Sequence, residues 1–242
     1  MDNAIEIRNL TKKYKDVTAV DDLTLSVGQG ELFALLGVNG AGKTTLAKML
    51  SCLILPTSGS AEVLGCDVIK EPEKVKEVIA ISPQETAVAK NLSVKENLEL
   101  MAGAHGFDKE KRKRKVNELI SGFGLEEVRD KYAGKLSGGW QRRLSIAMAL
   151  IGEPKVLFLD EPTLGLDVFA RRELWRIIES LKGKITVVLT THYMEEAEKL
   201  SDRLCIMKNG RIIAIGTATE MIEKTETSSF DDAFVKIVEE NE

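Results

Sequence analysis

Residues 37–45 read Gly37-Val38-Asn39-Gly40-Ala41-Gly42-Lys43-Thr44-Thr45. This fits G-x-x-x-x-G-K-[ST], a pattern that cradles nucleotide phosphates when it follows a strand and opens a helix. Gly37, Gly40 and Gly42 let backbone N–H groups converge on a phosphate without interference from Cβ atoms. The helix start behind them adds unsatisfied donors and a positive dipole end. Lys43 is placed to reach the β- and γ-phosphates, the Thr44 hydroxyl to ligate Mg²⁺, and Thr45 to support the loop.

A second group of residues suits the same chemistry. Val156-Leu157-Phe158-Leu159 is an apolar run that ends in Asp160-Glu161. In an open α/β sheet, ligands gather at the carboxyl ends of the strands. Strand alternation is expected to send the two carboxylates in different directions. Asp160 then holds Mg²⁺, through water, and Glu161 polarises an attacking water as general base. Taken alone, the pair reads as a solvated strand end; beside a phosphate loop, the catalytic reading is preferred. No G-x-G-x-x-G with a downstream ribose acid fits here, which excludes a dehydrogenase. A third feature is Ser137-Gly138-Gly139. Ser137 is a good helix N-cap, and its hydroxyl with the Gly138 and Gly139 amides makes another anion-binding helix start. One bound nucleotide has no use for a second phosphate cradle, unless that cradle serves a partner subunit.

These groups need strands and helices to position them. Ile5, Ile7 and Leu10 mark a first strand, and Leu23, Leu25 and Val27 alternate with polar residues as in a half-buried second one. The continuous apolar run Leu32–Leu36 suits a strand buried on both faces of a parallel sheet, with a helix from Lys43 to about Leu53 behind the glycine loop. Val156–Leu159 and Thr186–Thr190 read as further core strands, with helices over about 168–181 and 194–200. Arg203–Met207 and Arg211–Ile215 flank Asn209-Gly210, a hairpin turn signal. From about 94 to 151 the patterns are helical, and about 231–239 suits one short amphipathic helix.

The chain has 242 residues, 43% of them apolar and 30% charged, with a net charge of −4. That composition disfavours disorder, and the acidic balance disfavours nucleic acid as a partner. Cys52, Cys66 and Cys205 form neither a disulfide framework nor a zinc pattern and read as reduced thiols. The first residues show no apolar signal segment, and no apolar stretch approaches the ~20 residues that span a bilayer. The run Lys109–Lys115 (KEKRKRK) reads as a solvated helix face, with anionic lipid headgroups or nucleic acid as the alternative contact.

The phosphate loop, Leu136-Ser137-Gly138-Gly139, Leu157-Phe158-Leu159-Asp160-Glu161-Pro162 and Thr190-Thr191-His192 occur in the order of an ABC-transporter nucleotide-binding subunit. The chain resembles that family from about residue 4 to 218. LSGG-W-QRRLSIAMALIGEPKVLFLDEPTLGLD and THYMEEAEKLSDRLCIMKNGRIIAIGT resemble most the ATPases of ABC-2-type exporters. The resemblance implies an α/β phosphate-loop ATPase core with a mixed sheet, an N-terminal antiparallel β subdomain and an inserted α-helical subdomain. It implies a single nucleotide-binding domain over 1–242, with the core at about 1–84 and 152–218. The helical signature subdomain is then about 85–151, and a short helical tail covers about 219–242.

It also implies ATP and Mg²⁺ as cofactors, and a head-to-tail homodimer in which Ser137, Gly138 and Gly139 complete the partner's site. Tyr14 resembles the aromatic residue that stacks on adenine. Gln84 resembles the hinge glutamine that reaches Mg²⁺, Asp167 the aspartate that crosses the dimer interface, and His192 the histidine that contacts the γ-phosphate. Asp167 also reads as a helix N-cap, and His105, the other histidine, carries no motif. Trp140 departs from the Gln or Met usual at that signature position. The implied partners are integral membrane permease subunits, which the segment at about 85–94 would contact. The chain would sit on the cytoplasmic face of the membrane, peripheral to it. The competing reading is a soluble or mechanotransmitting ABC ATPase acting on nucleic acid or an envelope partner without transport.

Overall fold

The computed structural model describes residues 2–241. The chain opens with a long antiparallel hairpin, β1 (Asn3–Tyr14) and β2 (Val17–Gly28). Leu23, Leu25 and Val27 are buried there while Thr24 and Ser26 are exposed, so the alternation in the sequence is an alternation of faces. β3 (Leu32–Leu36) is buried along its whole length. The glycine loop leads into α1 (Lys43–Leu50). This helix stops short of the expected Leu53, because Ser51 takes the cap position and Cys52 turns to φ 58°.

Four elements that the hydrophobic pattern does not announce come next: β4 (Ser58–Val63), β5 (Cys66–Asp67), α2 (Pro72–Val78) and β6 (Ile79–Ser82). Only Ala61 and Val63 are buried in β4, too few to print a period. The helical stretch holds α3 (Val94–Ala104), α4 (Lys109–Gly122) and α5 (Gly138–Ala149). β7 (Val156–Asp160), α6 (Val168–Glu179), β8 (Thr186–Thr191) and α7 (Met194–Leu200) alternate as expected. β9 (Arg203–Lys208) and β10 (Arg211–Gly216) close through Asn209 at φ 49° and Gly210 at φ 79°, the two positive values that a two-residue hairpin turn demands. Two helices follow where one was expected, α8 (Ala218–Thr225) and α9 (Phe230–Glu239). The first is opened by a reciprocal cap between Thr217 and Glu220.

The strands form two sheets. One is antiparallel, in the order β2-β1-β4-β5; the other is mixed, in the order β10-β9-β3-β8-β7-β6, with β10 alone antiparallel to its neighbour. The central strands of the mixed sheet are buried on both faces, and their side chains sort by alternation. Val156, Phe158 and Val188 pack with the first hairpin and α1. Leu157, Leu159, Val187 and Leu189 pack with the helices α3 to α6. A third cluster joins Ala34, Leu36, Leu204 and Ile206 to α7, α8 and α9.

The register of this sheet assembles the site. Leu36 pairs with Thr191, Asp160 with Thr190, and Ser82 with Leu159. The parallel strands therefore end along one edge. The glycine loop, Glu161, His192 and Gln84 all leave the sheet there, far apart in sequence but adjacent in space.

Candidate functional site

The loop between β3 and α1 depends on glycine at two positions. Gly42 adopts φ 103°, and a Cβ on it would stand 2.3 Å from the Ala19 carbonyl oxygen. A Cβ on Gly37 would stand 2.4 Å from the Met207 carbonyl oxygen. Gly40, at φ 84°, has nothing within 4 Å of its Cβ position and borders open space. α1 has no side-chain cap and no acidic residue in its first turn. Its first N–H groups are thus left for an anion, with the dipole end behind them.

Lys43 is buried at 5% exposure, and its Nζ donates to the Gly37 carbonyl at 2.6 Å and the Val38 carbonyl at 3.2 Å. Glu161 Oε1 lies 3.6 Å from the same ammonium. Burial pushes the lysine below its ordinary pKa, and the charges of Glu161 and Asp160 work against that.

Asp160 and Glu161 do not part as simple alternation predicts. β7 ends at Asp160, and Glu161 turns to φ 47°, so the two carboxylates reach consecutive residues of α1. Thr44 Oγ1 donates to Asp160 Oδ1 at 3.0 Å, while Glu161 faces Lys43. Glu161 Oε2 also lies 2.7 Å from His192 Nδ1. A cleft of about 280 Å³ is lined by Ala19, Asn39, Gly40, Ala41, Gly42, Lys43, Thr44, Thr45, Gln84, Glu161, Leu164 and His192. A larger cavity of about 830 Å³ lies elsewhere, against Lys115, Leu150, Leu181 and Lys184, and contains none of these residues.

The remaining candidates stand outside the cleft. Tyr14 is half exposed at the end of β1, with Lys12 Nζ 4.9 Å from its ring centroid. Its partner Val17 lies two residues before the cleft residue Ala19. Ser137 stands at the N-cap position of α5 as expected, but its hydroxyl makes no cap hydrogen bond. Ser137 and Gly138 are exposed. Gly139 is pressed against α6, where a Cβ would come 2.9 Å from Ala170 Cβ. Asp167 caps α6, accepting from Phe169 N at 2.9 Å and Ala170 N at 3.0 Å. Ser137, Gly138, Gly139 and Asp167 thus form a second group, apart from the phosphate loop of their own chain.

Two further residues, Thr190 and Arg142, tie the cleft together. Thr190 donates from Oγ1 to Asp160 Oδ1 and accepts from Glu161 N at 3.1 Å, so one hydroxyl holds both acidic residues. Arg142, on α5, is buried and donates to the carbonyls of Asp160 (2.7 Å), Pro162 (2.9 Å), Gln84 (3.3 Å) and Pro83. Burial lowers its pKa to about 10, so it stays charged at neutral pH. The signal for Arg142 was its place in the QRR that follows the signature. Thr190 had no signal beyond the TT before the histidine.

Other features make contacts elsewhere in the fold. Trp140 is half buried on the helical core with the Arg143 guanidinium 4.6 Å from its ring centroid. His105 packs against Gly152, far in the fold from the cleft. In the basic run, Lys111 and Lys115 pair with Glu153, strapping α4 to the chain after α5. Cys205 is buried, and burial pushes its thiol well above the usual range.

The donor set suits a hard cation that arrives with phosphate. Thr44 Oγ1 and Asp160 Oδ1 are neighbouring hard oxygens. Among the described residues no cluster of three or more His, Cys, Asp or Glu forms a cage. That fits Mg²⁺, which takes one or two protein oxygens and completes its shell with water and substrate phosphates.

A family profile described as ABC transporter matches residues 20–164. The chain is 42% identical to the daunorubicin/doxorubicin resistance ATP-binding protein DrrA of Streptomyces peucetius, over 90% of this chain and 66% of that protein. It is 40% identical to Nod factor export ATP-binding protein I of Rhizobium sp. (strain N33), over 91% and 73% of the two chains. The chain therefore spans about two thirds of the length of these relatives. Its fold is similar, with TM-score 0.79 and 25% identity, to a dimeric structure of a post-hydrolysis state of the ATP-binding cassette MJ0796 bound to ADP and Pi. That match covers 88% of this chain and 98% of the other.

Proposed function

Because this chain belongs to the ABC transporter family, we propose that it binds and hydrolyses ATP to drive export through separate membrane-spanning subunits. The observation that carries this reading is the convergence of Lys43, Thr44, Glu161 and His192 on one cleft, with Asp160 bonded to Thr44 beside it. The relatives named for drug resistance and for Nod factor export support the exporter class. No helix among the described residues is long and apolar enough to cross a membrane, so the membrane passage is assigned to a partner. The working place is then the cytoplasmic face of the membrane, with the chain peripheral to it.

In this mechanism the phosphates lie against the N–H groups of residues 42–45. Lys43 exchanges its carbonyl contacts for the β- and γ-phosphate oxygens. Thr44 and Asp160 would hold Mg²⁺, with Gln84, which lines the cleft, as a further ligand. The cation supplies neutralisation of charge on the transferring phosphoryl group. Glu161 takes the proton of the attacking water as general base. His192, bonded to Glu161, orients that carboxylate and contacts the γ-phosphate. Tyr14 stacks on adenine.

Asp167, Ser137, Gly138 and Gly139 act across a head-to-tail homodimer, since their own chain does not bring them to its cleft. The dimeric structure of the related cassette supports association of two copies. Residues 85–151 form the signature subdomain, which moves against the core, and the segment at about 85–94 transmits the motion to the permease.

Phosphate release from Mg·ATP tests the assignment. Wild-type protein is expected to turn over ATP, and Lys43→Ala to weaken ATP binding by tenfold or more; unchanged affinity would remove the phosphate-loop assignment. Glu161→Gln purified with ATP from detergent-solubilised native membranes is expected to carry a polytopic membrane protein in near-equal amount. Soluble partners alone would remove the transporter reading and leave the ATPase.

A further inference from the structure

Behind the cleft lies an ionisable group that the mechanism above does not use. Glu196, in the first turn of α7, is fully buried. Its Oε1 accepts a hydrogen bond from Trp175 Nε1 of α6 at 3.0 Å. The hydroxyls of Thr191, which ends β8, and of Thr163, just after the acidic pair, are its next polar neighbours. Glu196 Oε2 and Thr163 Oγ1 are both buried without a hydrogen-bond partner. Among the described residues no Lys, Arg or His comes within ion-pair distance of it.

A carboxylate in such a place has no counter-cation in contact to support its charge. Burial pushes this carboxyl above the ordinary glutamate range, and the charge of Glu161 adds to the effect. One oxygen accepts from Trp175, and the other is buried beside the hydroxyls of Thr191 and Thr163.

We propose that Glu196 is a positioning residue for hydrolysis: bonded to Trp175 of α6 and buried against Thr163 and the end of β8, its side chain sets His192 against Glu161. The geometry supplies the route. Thr191 Oγ1 accepts from Tyr193 N at 3.0 Å, which fixes the turn carrying His192 between them. Thr163 is fully buried and follows Pro162, whose carbonyl Arg142 holds. One carboxyl thus lies against both segments that bring Glu161 and His192 into contact. The inference rests on the assignment of the cleft to ATP hydrolysis.

The test compares wild type with Glu196→Gln, Glu196→Leu and Trp175→Phe. Glutamine keeps an acceptor oxygen and an N–H donor in the shape of the acid, so Glu196→Gln is expected to keep kcat within about twofold. Glu196→Leu is expected to lower kcat about tenfold or more with KM for Mg·ATP changed less than about threefold, the pattern of lost positioning. A second readout is independent of turnover. The chain has two histidines, and the ¹⁵N resonances of the His192 ring are identified by their loss in His192→Ala. They are expected to stay in place in Glu196→Gln and to move in Glu196→Leu.

Wild-type kcat and an unmoved His192 ring in Glu196→Leu would overturn the proposal. So would a Glu196→Gln as impaired as the leucine variant, which would make the negative charge the requirement. Should Glu196→Leu fail to fold, Trp175→Phe retains the acid without its donor. A moved His192 signal there supports the tie, and an unmoved one with full kcat contradicts it. A wild type without ATP turnover would defeat the ATPase assignment and, with it, the role in hydrolysis, while the imidazole signals would still report whether Glu196 sets His192.

Discussion

Glu161 is held by four groups at once: Lys43 and His192 at its carboxylate, Thr190 Oγ1 and the Thr190 carbonyl at its N–H. Its φ of 47° is one that side-chain-bearing residues rarely take, at a cost of order 1–3 kcal/mol. Such over-determined placement is what a base aimed at one water requires. Glu161→Gln is therefore expected to bind ATP within a few-fold of wild type and to lose about 10²–10⁴ in turnover; turnover at the wild-type rate would remove Glu161 as the base. Thr190→Val takes away the hydroxyl that holds Asp160 and the Glu161 N–H, so kcat should fall by about tenfold or more while ATP still binds. Single-turnover hydrolysis separates the two effects.

Glu196 gives this scale a pH signature. The folded protein holds that proton more tightly than the unfolded chain. Between the ordinary glutamate value and the raised one, the folded state binds more protons, so stability falls as pH rises. The contribution is whole below the ordinary value and is lost as pH passes the folded one. Arg142 and Glu161 are the charged groups that sense it. Glu196→Gln should lack this slope in melting curves taken over about pH 4–8, and parallel curves for the two proteins would contradict the account.

At the scale of elements, the loop and its strand were the most legible part. Leu32–Leu36 reads as a strand buried on both sides because every residue in it is apolar, and the glycines after it fit only a phosphate loop. Gly42→Ala should lower the melting temperature and abolish ATP binding, since the residue combines φ 103° with a Cβ position 2.3 Å from the Ala19 carbonyl oxygen. Asp167 is legible twice over, and its capping role predicts a loss of about 1 kcal/mol in Asp167→Ala, measured by denaturant titration.

Other elements were hidden for physical reasons. β4 is an edge-region strand with two buried side chains. α2 and β6 meet without a linker, so neither shows its own period. Thr190 and Arg142 act on main-chain groups and on a carboxylate brought near by folding. Their partners lie 18 to 59 positions away for Arg142 and 29 to 30 for Thr190, and no local spacing encodes such contacts.

For the whole molecule, the consequence is a site in two halves. One half, from Gly37 to His192, is gathered along the end of the mixed sheet. The other, from Ser137 to Gly139 with Asp167, is gathered where α5 meets α6, and Ser137 there keeps a hydroxyl uncommitted to its own helix. The order of motifs pointed to this division, whereas their separation in space is a property of the fold. In the proposed head-to-tail pair a second copy would bring the halves together, with ATP between them as the adhesive that hydrolysis removes. Ser137→Arg should therefore block ATP-driven association and leave binding to the single chain intact.

The most direct measurement is the mass of Glu161→Gln by light scattering in Mg·ATP, with bound nucleotide counted in the same peak. The account predicts a species of about twice 26.7 kDa carrying two ATP molecules, which reverts to a single chain when Ser137→Arg is added. A Glu161→Gln protein that binds ATP fully but stays a monomer would contradict the two-half site.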